Sequence, residues 1–418
     1  MATLRRAITL PQATALYAGS VIGAGVLVLP GVAARLAGPA SLLAWLAVAL
    51  LGVPIALTFA ALAARFPAAG GVAAFTRRAF GPAAATVVGW FYFFAASVAQ
   101  AAVAMTGGHY VAAAFGVDPY LVAAAVLVGA VLANLRGIRV SAGVQLGLSA
   151  SVVAVLVVAA ALALPRVSTQ AFTPFAPHGW DAVGAAAVMV FFSCFGWEAI
   201  THLSAEFRDP ARDAIRATLL AVAAVTTVYL GIAVAVVGTR TYGAPDRDRV
   251  AVVALLGGAD ARAIGAAAAL LITAGTVNVF VAATSRLGYA LFPALGRVSS
   301  RGVPAAAVAA VGGIAGAALA LAVWRGWGAE AYVVLPSSMG LTVYVVGCLA
   351  GVRLLRGWSR AAAAVSALAC AAIVPFAGVA LWAQVTIAAA ALTWYVLRGR
   401  REREPASDQA VVHIGAMR

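Results

Sequence analysis

The chain has 418 residues, of which 64% are hydrophobic and only 10% charged, and its mean hydropathy is +1.02. Soluble domains are about a quarter charged and under half apolar, so this balance excludes a soluble enzyme, a disordered chain and a nucleic-acid-binding module. The net charge of +15 comes from arginine without lysine, set mostly in ones to threes between hydrophobic runs, which reads as membrane topology.

Apolar runs bounded by Arg, Asp, Pro or Gly predict twelve spans: 9–33, 39–63, 83–113, 119–135, 141–163, 181–204, 214–238, 261–291, 303–323, 330–351, 359–375 and 377–397. Each approaches the roughly 20 residues that an α-helix needs to cross the hydrocarbon layer. Arg5 and Arg6 ahead of the first span imitate a secretory signal, but Gly and Pro30 interrupt that span and eleven more follow, so it reads as an uncleaved helix. The last two spans share 39 residues and turn around Pro375. Between spans seven and eight, residues 250–259 read as a short external helix or as ordinary packed loop. Beyond Arg398 the chain is a polar tail, read as a topogenic stop whose arginines can also reach anionic headgroups of membrane lipid.

With the N-terminus inside, the outer loops hold only Arg35, Arg166, Arg240, Arg247, Arg249, Arg262 and Arg325. The other 21 of the 28 arginines fall inside, a bias that predicts both termini in the cytoplasm.

Two spans carry breaks. The first holds Gly19-Ser20-Val21-Ile22-Gly23-Ala24-Gly25, then Pro30. The sixth holds Phe192-Ser193-Cys194-Phe195-Gly196-Trp197-Glu198. Glycine is costly inside a helix, and irregular backbone survives at membrane depth only where protein or water covers it. The two breaks stand in the opening spans of two five-span units. Five is odd, so the second unit is inverted relative to the first. Matching breaks in inverted halves point to a binding site near the midplane. Half-helix N-termini suit a carboxylate and freed carbonyls suit an ammonium, so a zwitterion fits this site and a strongly charged solute does not. Close helix packing is the competing reading of the glycines.

Glu198 is the one carboxylate placed inside the hydrocarbon layer, a candidate for proton coupling or gating, or else a structural partner of broken-helix donors. His202 and Glu206 follow at four-residue spacing on one helix face, so His202 joins Glu198 as a relay candidate or stands as an ordinary interfacial histidine. Ser97, Gln100, Asn278, Ser337 and Ser338 are polar residues in apolar runs; they line the pathway or join helices, with Asn278 leaning to the pathway. His109 and His178 lie near outer span ends and are read as solvated. Phe192, Phe195 and Trp197 shape the pocket, while Trp90, Trp180 and Trp394 read as interfacial anchors. Cys194, Cys348 and Cys370 have no metal-ligand spacing, so neither a disulfide nor a metal is expected.

At these residues the chain resembles the amino acid–polyamine–organocation (APC) superfamily. The resemblance rests on Gly19 to Val26 with Leu29-Pro30, on Pro67-Ala68-Ala69-Gly70-Gly71 with Phe80-Gly81 and Gly89-Trp90, on Phe195 to Glu198 with Glu206 to Arg212, and on Ser285-Arg286, Pro293 and Pro304. Ala199-Ile200-Thr201-His202-Leu203-Ser204-Ala205-Glu206 and the short length are closest to bacterial exporters of methionine and branched-chain amino acids. One departure is Trp197, where the family often has a smaller residue; it bears on substrate size.

The resemblance implies an all-α integral membrane protein with a LeuT-type 5+5 inverted repeat and two extra helices. The units are 1–163, 164–351 and 352–397, with the tail at 398–418. It further implies alternating access driven by the proton gradient without a cofactor, in the bacterial inner membrane. The substrate-binding residues expected are Ser20, Ile22, Gly23, Ala24, Gly25, Phe192, Cys194, Phe195, Gly196 and Trp197. Proton-coupled export of apolar amino acids is the first expectation; import by symport, or exchange, is the second. An intramembrane enzyme would need a paired catalytic constellation, which only Glu198 and His202 approach, and a channel would favour charge rings or a filter motif.

Overall fold

A computed structural model describes residues 21–22, 25–66, 71–137, 142–197, 210–299 and 302–401, together with Leu10, Thr14 and Ala18. Among the described residues there is no strand. In chain order the helices are α1 Gly25–Ala37, α2 Ser41–Arg65, α3 Gly71–Phe80, α4 Pro82–Phe115, α5 Pro119–Leu135, α6 Ala142–Ala163, α7 Trp180–Val190, α8 Pro210–Gly238, α9 Pro245–Asp248, α10 Ala251–Leu256, α11 Ala259–Leu291, α12 Ala305–Arg325, α13 Val334–Leu354, α14 Gly357–Ile373 and α15 Ala380–Arg401.

Eight stretches of the described residues are long and apolar enough to cross a membrane, and one of them, Gly25–Arg65, contains both α1 and α2. Three shorter apolar helices, Pro119–Leu135, Val153–Arg166 and Trp180–Cys194, supply the rest. Counting α1 and α2 separately, each of the twelve expected spans contains a helix. The hairpin read around Pro375 is a 3-10 turn at Val374–Ala377 followed by Gly378 at φ +56°. Residues 71–80, read as part of an inner loop, form the helix α3. The external segment after residue 250 is the helix α10, its Val252, Val253 and Leu255 buried.

Local signals explain the helix ends. Asp118 caps α5, its carboxylate accepting from the Tyr120 N–H at 2.7 Å, with Pro119 at the first helical position. Gly116 and Gly326 end α4 and α12 in the left-handed conformation.

The helices sort into two groups. In one, α1 packs on α7 and α8, and α2 on the same two. In the other, α4 runs along α11, and both contact α5 and α12. Helix α13 bridges them through α2 and α4. Small residues permit the approach: a Cβ on Gly288 would lie 2.6 Å from Phe93, and one on Gly89 2.7 Å from Leu291. Side chains of one helix thus seat in glycine notches of the other, the packing that replaces hydrophobic drive between helices in lipid.

Candidate functional site

The first break lies at the inner end of α1. The Ile22 N–H still donates to the Ala18 carbonyl at 2.8 Å, but Ile22 itself sits in a bend before α1 opens at Gly25. The second break follows α7. Its last turn tightens into a 3-10 segment, Phe191–Cys194, then Phe195 turns extended (φ −61°, ψ 128°) and Gly196 takes φ +117°. Only glycine adopts that angle without strain.

The two breaks touch. A Cβ on Gly25 would meet Phe192 at 3.4 Å and the Ser193 backbone at 3.8 Å. Beside them lies a cavity of about 50 Å³, lined by Val21 and Gly25, by Tyr92, Ala96, Gln100 and Val103 of α4, by Phe192, Ser193 and Phe195, and by Thr276 and Phe280 of α11. One water needs roughly 10–15 Å³ on this measure, so the cavity holds a few waters or a compact solute. Its wall is apolar except for Gln100 and a few hydroxyls.

Tyrosines from three other helices support the broken backbone. The Tyr229 hydroxyl of α8 donates to the Val21 carbonyl at 2.9 Å, Tyr110 of α4 to Leu27 at 2.7 Å, and Tyr344 of α13 to Cys194 at 3.0 Å. Carbonyls at a break, such as those of Val21 and Cys194, need such donors in a low-dielectric interior, whereas the Leu27 carbonyl lies within α1 and gains its donor in addition.

The expected site residues separate into three sets. Gly25, Phe192 and Phe195 meet at the cavity, joined by Val21, which was not among the expected residues, and Gly196 forms the turn next to Phe195. Ile22 is 1% exposed, packed in the core at the bend. Cys194 and Trp197 are placed elsewhere. They line a smaller hollow of about 10 Å³ with Trp45, Gly52 and Tyr229. In a 3-10 turn residues three apart eclipse, so Phe192 and Phe195 share the cavity face while Cys194 turns away from it. The Trp197 indole instead lies on the Gly52 notch of α2, where a Cβ would stand 3.3 Å from Nε1. Ser20, Gly23, Ala24, Glu198 and His202 lie outside the described residues.

Asn278 accepts at Oδ1 from Asn134 Nδ2 of α5 at 2.8 Å. It joins two helices, and the cavity wall on α11 is formed by Thr276 and Phe280. The hydroxyls of Ser97 and Ser337 donate to Phe93 and Val333, four residues back, and that of Ser338 to Leu335. Gln100 lines the cavity and is 1% exposed.

A charged cluster closes the far end of α1. Arg35 approaches the fully buried Asp248 side chain at 2.7 Å, and the Gly243 N–H donates to the same carboxylate at 2.8 Å. Arg249 grips Glu330 through Nη2 at 2.7 Å and Nε at 3.1 Å. His109, expected in solvent, is only 9% exposed beneath this cluster, stacked edge-on against Tyr120 at 6.3 Å. His178 is exposed, its Nδ1 2.9 Å from the Leu36 carbonyl. Among the described residues, no three His, Cys, Asp or Glu side chains gather to hold a metal ion.

The tyrosine donors, the Gly52 notch and the Gly340 notch of α13, where a Cβ would collide with the Phe195 ring, escaped sequence reading. Their only signal was a hydroxyl or a missing Cβ in an apolar run, with nothing to name the distant partner.

Comparison with known proteins agrees with this geometry. The amino acid permease family model matches residues 8–398. The uncharacterized amino acid permease YecA of Bacillus subtilis is 33% identical, covering 96% of this chain and 98% of its own. The L-methionine/branched-chain amino acid exporter YjeH of Escherichia coli is 30% identical, with 97% and 99% covered. The branched-chain amino acid permease BcaP of Bacillus subtilis is 28% identical over 56% of this chain and 55% of its own. A match across nearly the whole length, on an all-α membrane fold, leaves one assignment: this chain belongs to the amino acid permease family, within the APC superfamily.

Proposed function

We propose that the protein exports apolar amino acids, methionine and the branched-chain group, across the bacterial cytoplasmic membrane in exchange for protons, with both termini in the cytoplasm. The observation that carries the substrate class is the cavity at the meeting of two helix breaks. Its backbone ends suit a zwitterion, while Val21, Val103, Phe192, Phe195 and Phe280 suit an uncharged side chain. The similarity to a methionine/branched-chain exporter supports the direction. Import or exchange would use the same site and differ only in coupling; the similarity to a branched-chain permease favours keeping it as the second reading.

Units at 1–163 and 164–351 are proposed as inverted repeats, with 352–397 as two added helices and 398–418 as the tail. The helix groups support this division, since the first helix of one unit packs on the first of the other (α1 with α7), the second on the second (α2 with α8), and so on for α4 with α11 and α5 with α12. Glu198 and His202 are proposed to carry the proton coupling.

Counterflow in proteoliposomes tests the reading, using labelled amino acids at two pH gradients. Leucine, isoleucine, valine and methionine are expected to exchange well above aspartate and arginine, and an inward proton gradient is expected to accelerate efflux. Glu198→Gln is expected to keep counterflow but lose its response to pH. Equal exchange of charged and apolar amino acids would overturn the substrate class, and an unchanged pH response in Glu198→Gln would overturn the proton role.

A further inference from the structure

Gln100 is the cavity's one side-chain amide, and half of it is unused. It is 1% exposed, and its Nε2 donates to the Ala96 carbonyl of its own helix at 2.8 Å. That bond decides which way the amide points, because the opposite orientation would set two acceptors face to face. The Oε1 atom is therefore left over, buried and with no hydrogen-bond partner among the described residues. It belongs to a side chain on the wall of the cavity that Val21 and Gly25 of the first break and Phe192, Ser193 and Phe195 of the second also line.

A buried acceptor without a donor is destabilising. The alanines, Val103 and Phe280 of the surrounding wall offer none, the Ser193 hydroxyl donates to the Val190 carbonyl at 2.6 Å, and the hydroxyls of Tyr92 and Thr276 line the same cavity without a hydrogen bond to Oε1. Water in the cavity can serve it while the site is empty; once cargo displaces that water, the donor arrives with the cargo. An apolar amino acid carries donors at one place, its ammonium; its carboxylate would be repelled by a carbonyl oxygen, and its side chain has no polar hydrogen.

We propose that the Gln100 side-chain carbonyl accepts a hydrogen bond from the ammonium group of the bound amino acid, and so makes the site reject acids of the same shape that lack the amine. The proposal rests on the amino acid reading above and assigns one recognition group to α4. The remaining ammonium hydrogens stay available to the freed carbonyls of the breaks. A site built around a substrate donor discriminates against the analogue without it, because the analogue leaves the acceptor unpaired.

The test compares leucine with 4-methylpentanoate, the same skeleton without the amine, as competitors of labelled-leucine counterflow by the full-length protein in liposomes. Gln100→Leu and Gln100→Ala remove the acceptor, and Gln100→Glu keeps one. The wild type is expected to prefer leucine strongly. In Gln100→Leu and Gln100→Ala that preference is expected to fall by about 10- to 100-fold, the range of a charge-assisted hydrogen bond, through weaker leucine binding with 4-methylpentanoate little changed. Gln100→Glu is expected to retain it. Retained binding of 4-methylpentanoate shows that the variants are folded, and either removal variant suffices if the other is not. An unchanged preference in the removal variants overturns the proposal, as does a change only in the ranking of leucine, valine and methionine, which would mean that Gln100 reads the side chain. Wild-type protein without any amino acid counterflow overturns the transport reading itself, and that outcome is seen before any variant is made.

Discussion

At the scale of single residues, the site is held by groups that neutralise the consequences of breaking a helix. The Val21 carbonyl has lost its regular place in a helical ladder, and Tyr229 supplies a donor to it. Tyr229→Phe keeps the ring, including its edge-on contact with Trp45 at 5.4 Å, and removes only the hydroxyl. The expected loss is about 1–3 kcal/mol, the cost of an orphaned buried acceptor, read as a lower melting temperature in detergent together with slower counterflow. Full stability would show that the carbonyl finds another donor. Gly196→Ala forces a side chain into φ +117°. Strain of about 1–3 kcal/mol follows, and loss of transport beyond the loss of folded protein is the expected readout. Both glycine clusters stood out in the sequence because glycine is unusual inside a span. The tyrosines did not, because Tyr229 and Tyr110 are 208 and 83 residues from the carbonyls they serve.

At the scale of elements, the Arg35 end of α1 shows how most of the arginines expected outside are accommodated. Five of those seven are engaged. Arg35 pairs with Asp248, Arg249 with Glu330 and Asp246, Arg166 and Arg240 with the carbonyls of Leu255 and Gln170, and Arg325 lies over the rings of Trp324 and Trp327. Gly31 lets α9 and α10 settle on α1, since a Cβ there would collide with the Asp248 backbone carbonyl and stand 2.9 Å from the Ala251 Cβ. Gly31→Ala should therefore displace the α9–α10 segment, at about 1–3 kcal/mol for overpacking. A cysteine introduced at Val252, which is fully buried, should then gain reactivity to a water-soluble maleimide, and unchanged protection would count against the contact.

Asp248 gives a pH prediction with a defined sign. Burial pushes its carboxyl above the usual range, while the Gly243 N–H and the Arg35 guanidinium pull it partly back. The net shift is upward, so the folded protein holds this proton more tightly than the unfolded chain. The contribution is present at low pH and lost as pH rises through the folded value. The melting temperature of the wild type minus that of Asp248→Asn should grow on acidification from pH 7; an ion pair dominating the carboxylate would make it shrink.

At the scale of the whole molecule, two four-helix groups meet at a cavity beside the breaks. Alternating access requires one group to move against the other, and α13 touches both. The arginine distribution predicts the orientation of this assembly in the membrane. Alkaline phosphatase fused between α8 and α9 should be active outside, and the same enzyme fused after Arg398 should be inactive; the reverse pattern would invert the topology.

What the sequence determined alone was everything carried by local composition: an all-α membrane chain, about twelve apolar spans, their expected orientation, and the glycines at which helix breaks were expected. These follow from the cost of placing polar backbone and charge in hydrocarbon, which acts residue by residue along the chain. Only the tertiary structure decided which faces met. The spans are apolar almost all round, so no periodicity distinguished Phe192 and Phe195, which reach the cavity, from Cys194 and Trp197, which do not. Nor could it tell that Asn278 binds Asn134 while Gln100 keeps a free carbonyl at the cavity wall, because each depends on which helix lies opposite, and that is settled by packing between residues distant in the chain.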